Sequence, residues 1–438
     1  MEYNDLNSKI WHPFTQHGLG EPIIKIERAK DEFLYTSDGK VIIDGISSWW
    51  VNTHGHSNPQ IIEAVSKQVQ ELQQVIFAGF THNPAEEVAA KIRGFLPPKL
   101  EYIFFSDSGS TSVEVALKMA VGYWYNKGFE NKTKIVAFKK SYHGDTFGGM
   151  SSGDCSVFSK PYAKMFFDVV HLPYPEKGRE DFTIAYYENL LKKEASNIAA
   201  IILEPLILGS GGMLIYESFV LDELYRLSKE YDVIFILDEV MTGWGRTGTM
   251  FAFEQTNIVP DILCLSKGLT GGHLPLAVTV SSREIYDAFY SKDKAKMFFH
   301  SSSYTANPVA CAAASANLDI CMENSGKNVL DKVKFINNYH TGKKEKFEQN
   351  DLVKNPRILG SIFAFDIKTD KEGYLADLAV DLSKYYIENG VLLRPLGNTV
   401  YIMPSYCILQ SSLDKIYDTI EKSLEDVRLN RNEFKVVN

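Results

Sequence analysis

Long apolar runs, paired cysteines and blocks of one charge are all scarce in this sequence, and each scarcity removes a class of protein. No apolar stretch approaches the roughly 20 residues that a membrane-spanning helix needs, so no transmembrane segment is expected. The five cysteines, Cys155, Cys264, Cys311, Cys321 and Cys407, are odd in number and contain no C-x-x-C pair. That fits neither a disulfide framework nor a zinc cage, and it points to a reducing compartment. The opening Met1-Glu2-Tyr3-Asn4-Asp5 lacks the basic start and apolar core of a secretory leader. A net charge of −9 and a pI near 5.7, with no Lys/Arg block, exclude a general nucleic-acid binder. His54 and His56 have no third ligand nearby in sequence, so no metal site is expected. What remains is a soluble, cytoplasmic protein acting on small molecules.

At 438 residues the chain exceeds the usual limit of a single core, so one large domain and a smaller one are expected. Two β-rich stretches, Ile23 to Ile26 and Val41 to Ile43, flank the turn signal Ser37-Asp38-Gly39-Lys40 and predict an antiparallel lead-in. Asn58-Pro59 opens an amphipathic helix through Ile62, Val65, Val69 and Leu72. Short apolar runs then alternate with helical patterns: Tyr102 to Phe105, Lys134 to Phe138, Ala199 to Leu203, Val233 to Leu237 and Ile262 to Leu265. That rhythm is the α/β signature of a mainly parallel sheet. Pro275 to Val280 follows too closely for a crossover helix and should run antiparallel in the same sheet. From about Ser325 the order changes to a charged helix (Val329 to Gln349), a strand (Ile358 to Ile367), a helix (Tyr374 to Asn389), two short strands and a final helix. The expected division is residues 1–55 as a segment joining the small domain, 56–324 as the large domain, and 325–438 as the C-terminal small domain.

Four features carry chemistry. Asp261 to Gly272 delivers Lys267 from an apolar run into a glycine-rich turn, and Val233 to Val240 delivers Asp238 in the same way. Ser106 to Ser112 follows a strand and opens a helix, so the free N–H groups around Gly109 and Ser110 suit an anion. Ser301-Ser302-Ser303-Tyr304 is a second hydroxyl cluster ahead of a helix. Alone, the lysine and the acid read equally well as a solvated lysine and a capping acid, and the serine clusters read more readily as helix caps. Together they match what pyridoxal 5′-phosphate requires: an amine for its aldehyde, an acid for its ring nitrogen and a helix start for its phosphate. Val240 would support one face of the ring and Tyr142 the other.

The motifs Leu237-Asp238-Glu239-Val240-x-Thr242-Gly243-x-Gly245-Arg246-Thr247-Gly248 and Ser266-Lys267-Gly268-x-x-Gly271-Gly272 resemble those of the class III pyridoxal-phosphate aminotransferases. The resemblance covers essentially the whole chain. It implies fold-type I, a large domain with a mainly parallel seven-stranded sheet, and a smaller α+β domain built from both termini. Trp11-His12-Pro13-Phe14-Thr15, Ser47-Ser48-Trp49-Trp50-Val51-Asn52 and Tyr142-His143-Gly144-Asp145-Thr146-Phe147-Gly148 are similar to its biotin-synthesis branch. From that branch follow S-adenosylmethionine as amino donor and 8-amino-7-oxononanoate as acceptor. The alternatives are lysine as donor, or another class III ω-aminotransferase taking a diamine or ω-amino acid. The resemblance further implies that Lys267 carries the cofactor and moves the proton, that Asp238 pairs with the ring nitrogen, and that Tyr142 lies on the ring and near substrate. Gly109 and Ser110 would hold the phosphate from one subunit, with Ser302 and Ser303 reaching it from the other subunit of a homodimer. Trp49, Trp50 and Ser301 would contact substrate, Arg394 its far carboxylate, and Arg246 the donor's carboxylate.

The chain departs from the branch at two places. Phe14 stands where many members carry a tyrosine, and Ser302-Ser303 replace Pro-Thr. The second change keeps a hydroxyl; the first removes one, and with it a polar contact to substrate. Glu204, ahead of Pro205 at a strand end, has no role that the pattern assigns.

Overall fold

The structure, a computed structural model, describes residues 9–19, 23–154, 159–368 and 378–434. Met1 to Asp5, Cys155 and the expected helix start at Tyr374 lie outside the described residues.

Seven strands form the central sheet, in the spatial order Leu100–Ser106, Ala277–Ser282, Ile262–Leu265, Ile234–Asp238, Ile198–Leu203, Lys134–Phe138 and Val169–Leu172. Ala277–Ser282 runs antiparallel to both neighbours, and the remaining pairings are parallel. The continuous apolar runs are explained by burial on both faces: Ile198–Leu203 and Ile234–Asp238 are buried at every position. Each such Ile, Leu or Val contributes roughly 1.5–3 kcal/mol. One face packs Val113, Ala116 and Ala120 of the helix Gly109–Asn126; the other packs Leu221, Leu224 and Val220 of Ser218–Glu230. Val169–Leu172 and the hairpin Ile207–Leu208/Leu214–Ile215 were not anticipated, being too short to show a period.

The lead-in begins later than expected. Its first strand is Ile26–Lys30, and Phe33–Thr36 intervenes before the turn to Val41–Asp44. Val391–Leu392 adds parallel to Val41–Asp44, so both ends of the chain share one sheet. The expected single strand Ile358 to Ile367 is instead a hairpin, Val353–Leu359 with Ile362–Ile367. It turns at Gly360, whose φ is +57° and where a Cβ would lie 2.3 Å from the Arg246 carbonyl oxygen. A second core, including Trp50, Phe363, Tyr401 and Ile416, joins the N-terminal turn to these C-terminal elements.

Candidate active site

The two strands that end in chemistry are neighbours. Asp238 pairs in register with Cys264 on Ile262–Leu265, so three residues further on Lys267 leaves the same edge of the sheet. Lys267 has φ 46°, a left-handed backbone that costs a side-chain residue free energy and clusters at functional sites. The turn is held by the Ser266 hydroxyl, which donates to the Leu276 carbonyl at 2.8 Å. A cavity opens at this edge, and Lys267, Asp238, Val240, Gly109, Ser110 and Tyr142 all line it. Phe14, Trp49, Trp50 and Arg394 line it as well.

Burial dominates the electrostatics of the floor. The Lys267 amine is brought down to about 8, chiefly by desolvation, against the opposing pull of Asp238 and Glu204. Its Nζ lies 4.4 Å from the Trp50 ring centroid and has no hydrogen-bond acceptor among the described residues. Asp238 accepts from His143 Nδ1 at 2.8 Å and from the Val240 N–H at 3.1 Å. His143 is buried and its Nε2 has no partner among the described residues. Burial, then Asp145, pushes the Tyr142 phenol upward, so its hydroxyl stays protonated. Glu239, beside Asp238, points the other way, as alternation along a strand requires. It accepts from Thr242, Ala252 and Phe253 at 2.8–2.9 Å and anchors the loop after the strand.

The anion cradle follows from local capping. Ser108 caps the helix Gly109–Asn126 by accepting from Thr111 N. The cap leaves the N–H groups of Gly109 and Ser110 unclaimed among the described residues. A Cβ at Gly109 would stand 2.6 Å from Val240 Cγ1, so only glycine lets the cradle and the ring-supporting valine meet. A half-buried amine without an acceptor among the described residues, a carboxylate lining the same cavity and a helix start beside them are the donor set that pyridoxal phosphate needs. The residues present fit that group.

The outer wall is assembled from distant parts of the chain. Ser47, Ser48 and Trp50 all have positive φ, and the turn is held by Asp44, whose carboxylate accepts from Ser48 N at 2.8 and 2.7 Å. Trp50 is buried and donates to the Tyr401 hydroxyl at 2.9 Å, whereas Trp49 is 45% exposed. The Arg394 guanidinium sits 5.3 Å from the Trp49 ring centroid and donates to the Phe14 carbonyl at 3.1 Å.

Arg246, Ser301, Ser302 and Ser303 do not line this chain's cavity. Arg246 is 1% exposed and does not line the cavity; it donates to the carbonyls of Pro404 at 2.7 Å and Trp50 at 3.5 Å. It ties the tryptophan turn to the C-terminal core. Ser301, Ser302 and Ser303 lie outside this chain's own cavity. Ser302 donates to Asp107, and the helix after the cluster is capped by Asn307. His54 is buried against Cys321, and His56 pairs with Asp44 at 2.8 Å. Sequence reasoning assigned no role to His143, Ser210, Met241 or Tyr401, which also line the cavity. His143 could have been found, because it follows Tyr142 directly; Tyr401 could not, because only tertiary packing brings it to Trp50.

The fold is that of the pyridoxal-phosphate-dependent transferases, with the lysine and acid at adjacent strand ends of a mainly parallel sheet. Residues 14–424 match the family model described as aminotransferase class-III. The chain belongs to the class III aminotransferases. It is 43% identical over 426 residues to the adenosylmethionine-8-amino-7-oxononanoate aminotransferase of Synechococcus elongatus, covering 95% of this chain and 99% of that one. It is 36% identical to the protein of the same name from Helicobacter pylori, covering 96% of each chain. Among solved structures it superimposes on the adenosylmethionine-8-amino-7-oxononanoate aminotransferase of Methanocaldococcus jannaschii with a TM-score of 0.90 at 32% identity, covering 95% of this chain and 97% of that one. A PLP-bound amine transaminase from an uncultivated Pseudomonas species gives 0.90 at 27% identity, covering 96% and 99%. Among the described residues no helix is long and apolar enough to cross a membrane.

Proposed function

We propose that this protein transfers the α-amino group of S-adenosylmethionine to the ketone of 8-amino-7-oxononanoate, giving 7,8-diaminononanoate for biotin synthesis. The observation that carries the reading is one cavity in which the chemical residues, Lys267 and Asp238, face the recognition residues, Trp49 and Arg394. The named relatives are similar along nearly the whole chain, which favours this substrate pair over others in the family.

Pyridoxal 5′-phosphate, when bound, supplies an electron sink for the carbon that loses a proton. Gly109 and Ser110 would hold its phosphate, Asp238 its ring nitrogen and Lys267 its aldehyde carbon, with Val240 and Tyr142 on the two faces. In each half-reaction Lys267 Nζ is the base and acid that moves the proton at the amine-bearing carbon of the substrate. An amine near 8 is matched to that task at neutral pH. Arg394 offers a planar fork to the carboxylate of the keto acid, replacing its present bond to the Phe14 carbonyl. Trp49 and Trp50 shield the acyl chain from water. The protein works as a cytoplasmic homodimer, in which the partner subunit's Ser302 and the partner subunit's Ser303 complete the phosphate site.

The test is spectroscopic. The visible absorbance of the cofactor-loaded protein should fall on adding S-adenosylmethionine and return on adding 8-amino-7-oxononanoate; no response to either compound sinks the assignment. One observation favours a second donor: Phe14 offers no hydroxyl to a polar substrate, so lysine belongs in the same screen. Response to a diamine or ω-amino acid alone would instead mark another ω-aminotransferase.

A further inference from the structure

Glu204 stands at the end of the buried strand Ile198–Leu203, one strand away from Asp238. It is 5% exposed and lines the same cavity as Lys267, Asp238, His143 and Tyr142. Both of its carboxyl oxygens are used as acceptors. Oε2 takes the Tyr142 N–H at 3.0 Å, and Oε1 takes the Gly209 N–H at 3.0 Å. Its backbone carbonyl accepts from the Tyr216 hydroxyl at 2.6 Å, so the residue is fixed from behind as well. Tyr142 itself and Ser210, next to Gly209, also line the cavity. A buried carboxylate is costly unless its oxygens are satisfied. Here they are satisfied by two loop segments, at Tyr142 and at Gly209, that share no other hydrogen bond among the described residues.

We propose that Glu204 is a positioning residue of the active site, clamping the Tyr142 segment to the Gly209–Ser210 segment and placing negative charge beside the Lys267 amine. The proposal rests on the aminotransferase reading and deepens it. Two backbone N–H groups aimed at one carboxylate need acceptors on both oxygens. Glutamine, nearly the same shape, would turn an NH2 toward one of those donors. The titratable groups facing Glu204 are His143, Asp238, Lys267, Tyr142 and Tyr216. Burial holds the Glu204 carboxyl up to about 7, with His143 opposing that rise and Asp238 adding to it. As pH falls through about 7 the carboxylate takes up a proton, the clamp loses an acceptor, and Lys267 loses a negative neighbour. Loss of that neighbour lowers the lysine's own pKa.

Two readouts test this on full-length wild type, Glu204→Gln and Glu204→Asp. The first follows acetylation of Lys267 against pH in cofactor-free protein by mass spectrometry. The midpoint should stand near 8 in wild type, fall by about one unit in Glu204→Gln and stay near wild type in Glu204→Asp, which keeps the charge. The second is the kcat and KM of the loaded enzyme. Both variants should lose kcat by about tenfold with little change in the KM of the keto acid, since neither keeps both clamp bonds. An unchanged lysine midpoint together with unchanged kcat in Glu204→Gln overturns the proposal. If that variant does not fold, a Glu204→Asp protein with wild-type kcat overturns the clamp. Failure of the substrate reading looks different: wild type would not respond to the two substrates, while the lysine midpoint would still shift in Glu204→Gln.

Discussion

The floor and the mouth of the cavity are built on different principles. At the floor, Lys267 is half-buried while Asp238, His143 and Glu204 are buried, all stand on or just beyond strand ends, and the last three are fixed by hydrogen bonds. At the mouth, Phe14, Trp49 and Arg394 come from the N-terminal segment, a strained turn and the C-terminal part of the chain, and Trp49 and Phe14 are 45% and 44% exposed. The floor is rigid and desolvated, which suits groups whose proton affinity must be set by surroundings. The mouth joins distant parts of the chain through the Arg394–Phe14 hydrogen bond and ring contacts, a looser arrangement for a site that must admit two unlike substrates in turn.

Breaking the floor should cost the most. Lys267→Ala removes the proposed base and should lower the rate of each half-reaction by about 10⁴-fold or more. Size-exclusion chromatography should still show wild-type assembly, because no hydrogen bond among the described residues uses this amine. Asp238→Asn keeps the shape but removes the charge opposite His143 Nδ1; kcat should fall by about 10²–10³-fold, with the loss followed by single-turnover absorbance. Equal losses for both substrates are expected, because the floor serves both half-reactions.

The same contrast decides what could be read from the sequence. Lys267 and Asp238 announce themselves, because an apolar run ending in a charged residue is a strand carrying something to its edge, and burial on both faces makes such runs continuous. The antiparallel strand Ala277–Ser282 was legible from the shortness of the connection before it. The hairpin at Gly360 was passed over, since its glycine interrupts what otherwise reads as one strand. At the mouth, local pattern gives little. Arg246 looks like a ligand for a carboxylate in its motif, yet burial turns it onto the carbonyls of Pro404 and Trp50. The bond from Trp50 to Tyr401 joins parts of the chain that no periodicity connects.

Damage at the mouth should be smaller and selective. Arg394→Ala should raise the KM for 8-amino-7-oxononanoate by about 10–100-fold, the span expected for one charge-assisted pair, while kcat for saturating substrate changes little. Arg394→Lys should recover only part of this, because an ammonium cannot make two parallel bonds. A fall in kcat equal to the rise in KM would place Arg394 in the chemistry and erase the distinction between floor and mouth.

Phe14→Tyr should have the smallest effect and discriminate best. The ring already lies 5.8 Å from the Trp49 ring and its carbonyl already holds Arg394, so the added hydroxyl can enter without rebuilding the wall. It restores a polar group on the side of the cavity away from Lys267. Its effect should therefore fall on the donor's KM, lowering it by about twofold to tenfold, the worth of one neutral hydrogen bond. The keto acid, for which Arg394 and the tryptophans are the proposed contacts, should be affected less. Half-reaction titrations with S-adenosylmethionine and with lysine, run on wild type and on this variant, give the comparison directly. If the hydroxyl improves S-adenosylmethionine and not lysine, the phenylalanine marks a mouth relaxed in its choice of donor. If it improves neither, donor recognition lies deeper, against Tyr142, and the boundary between floor and mouth moves inward.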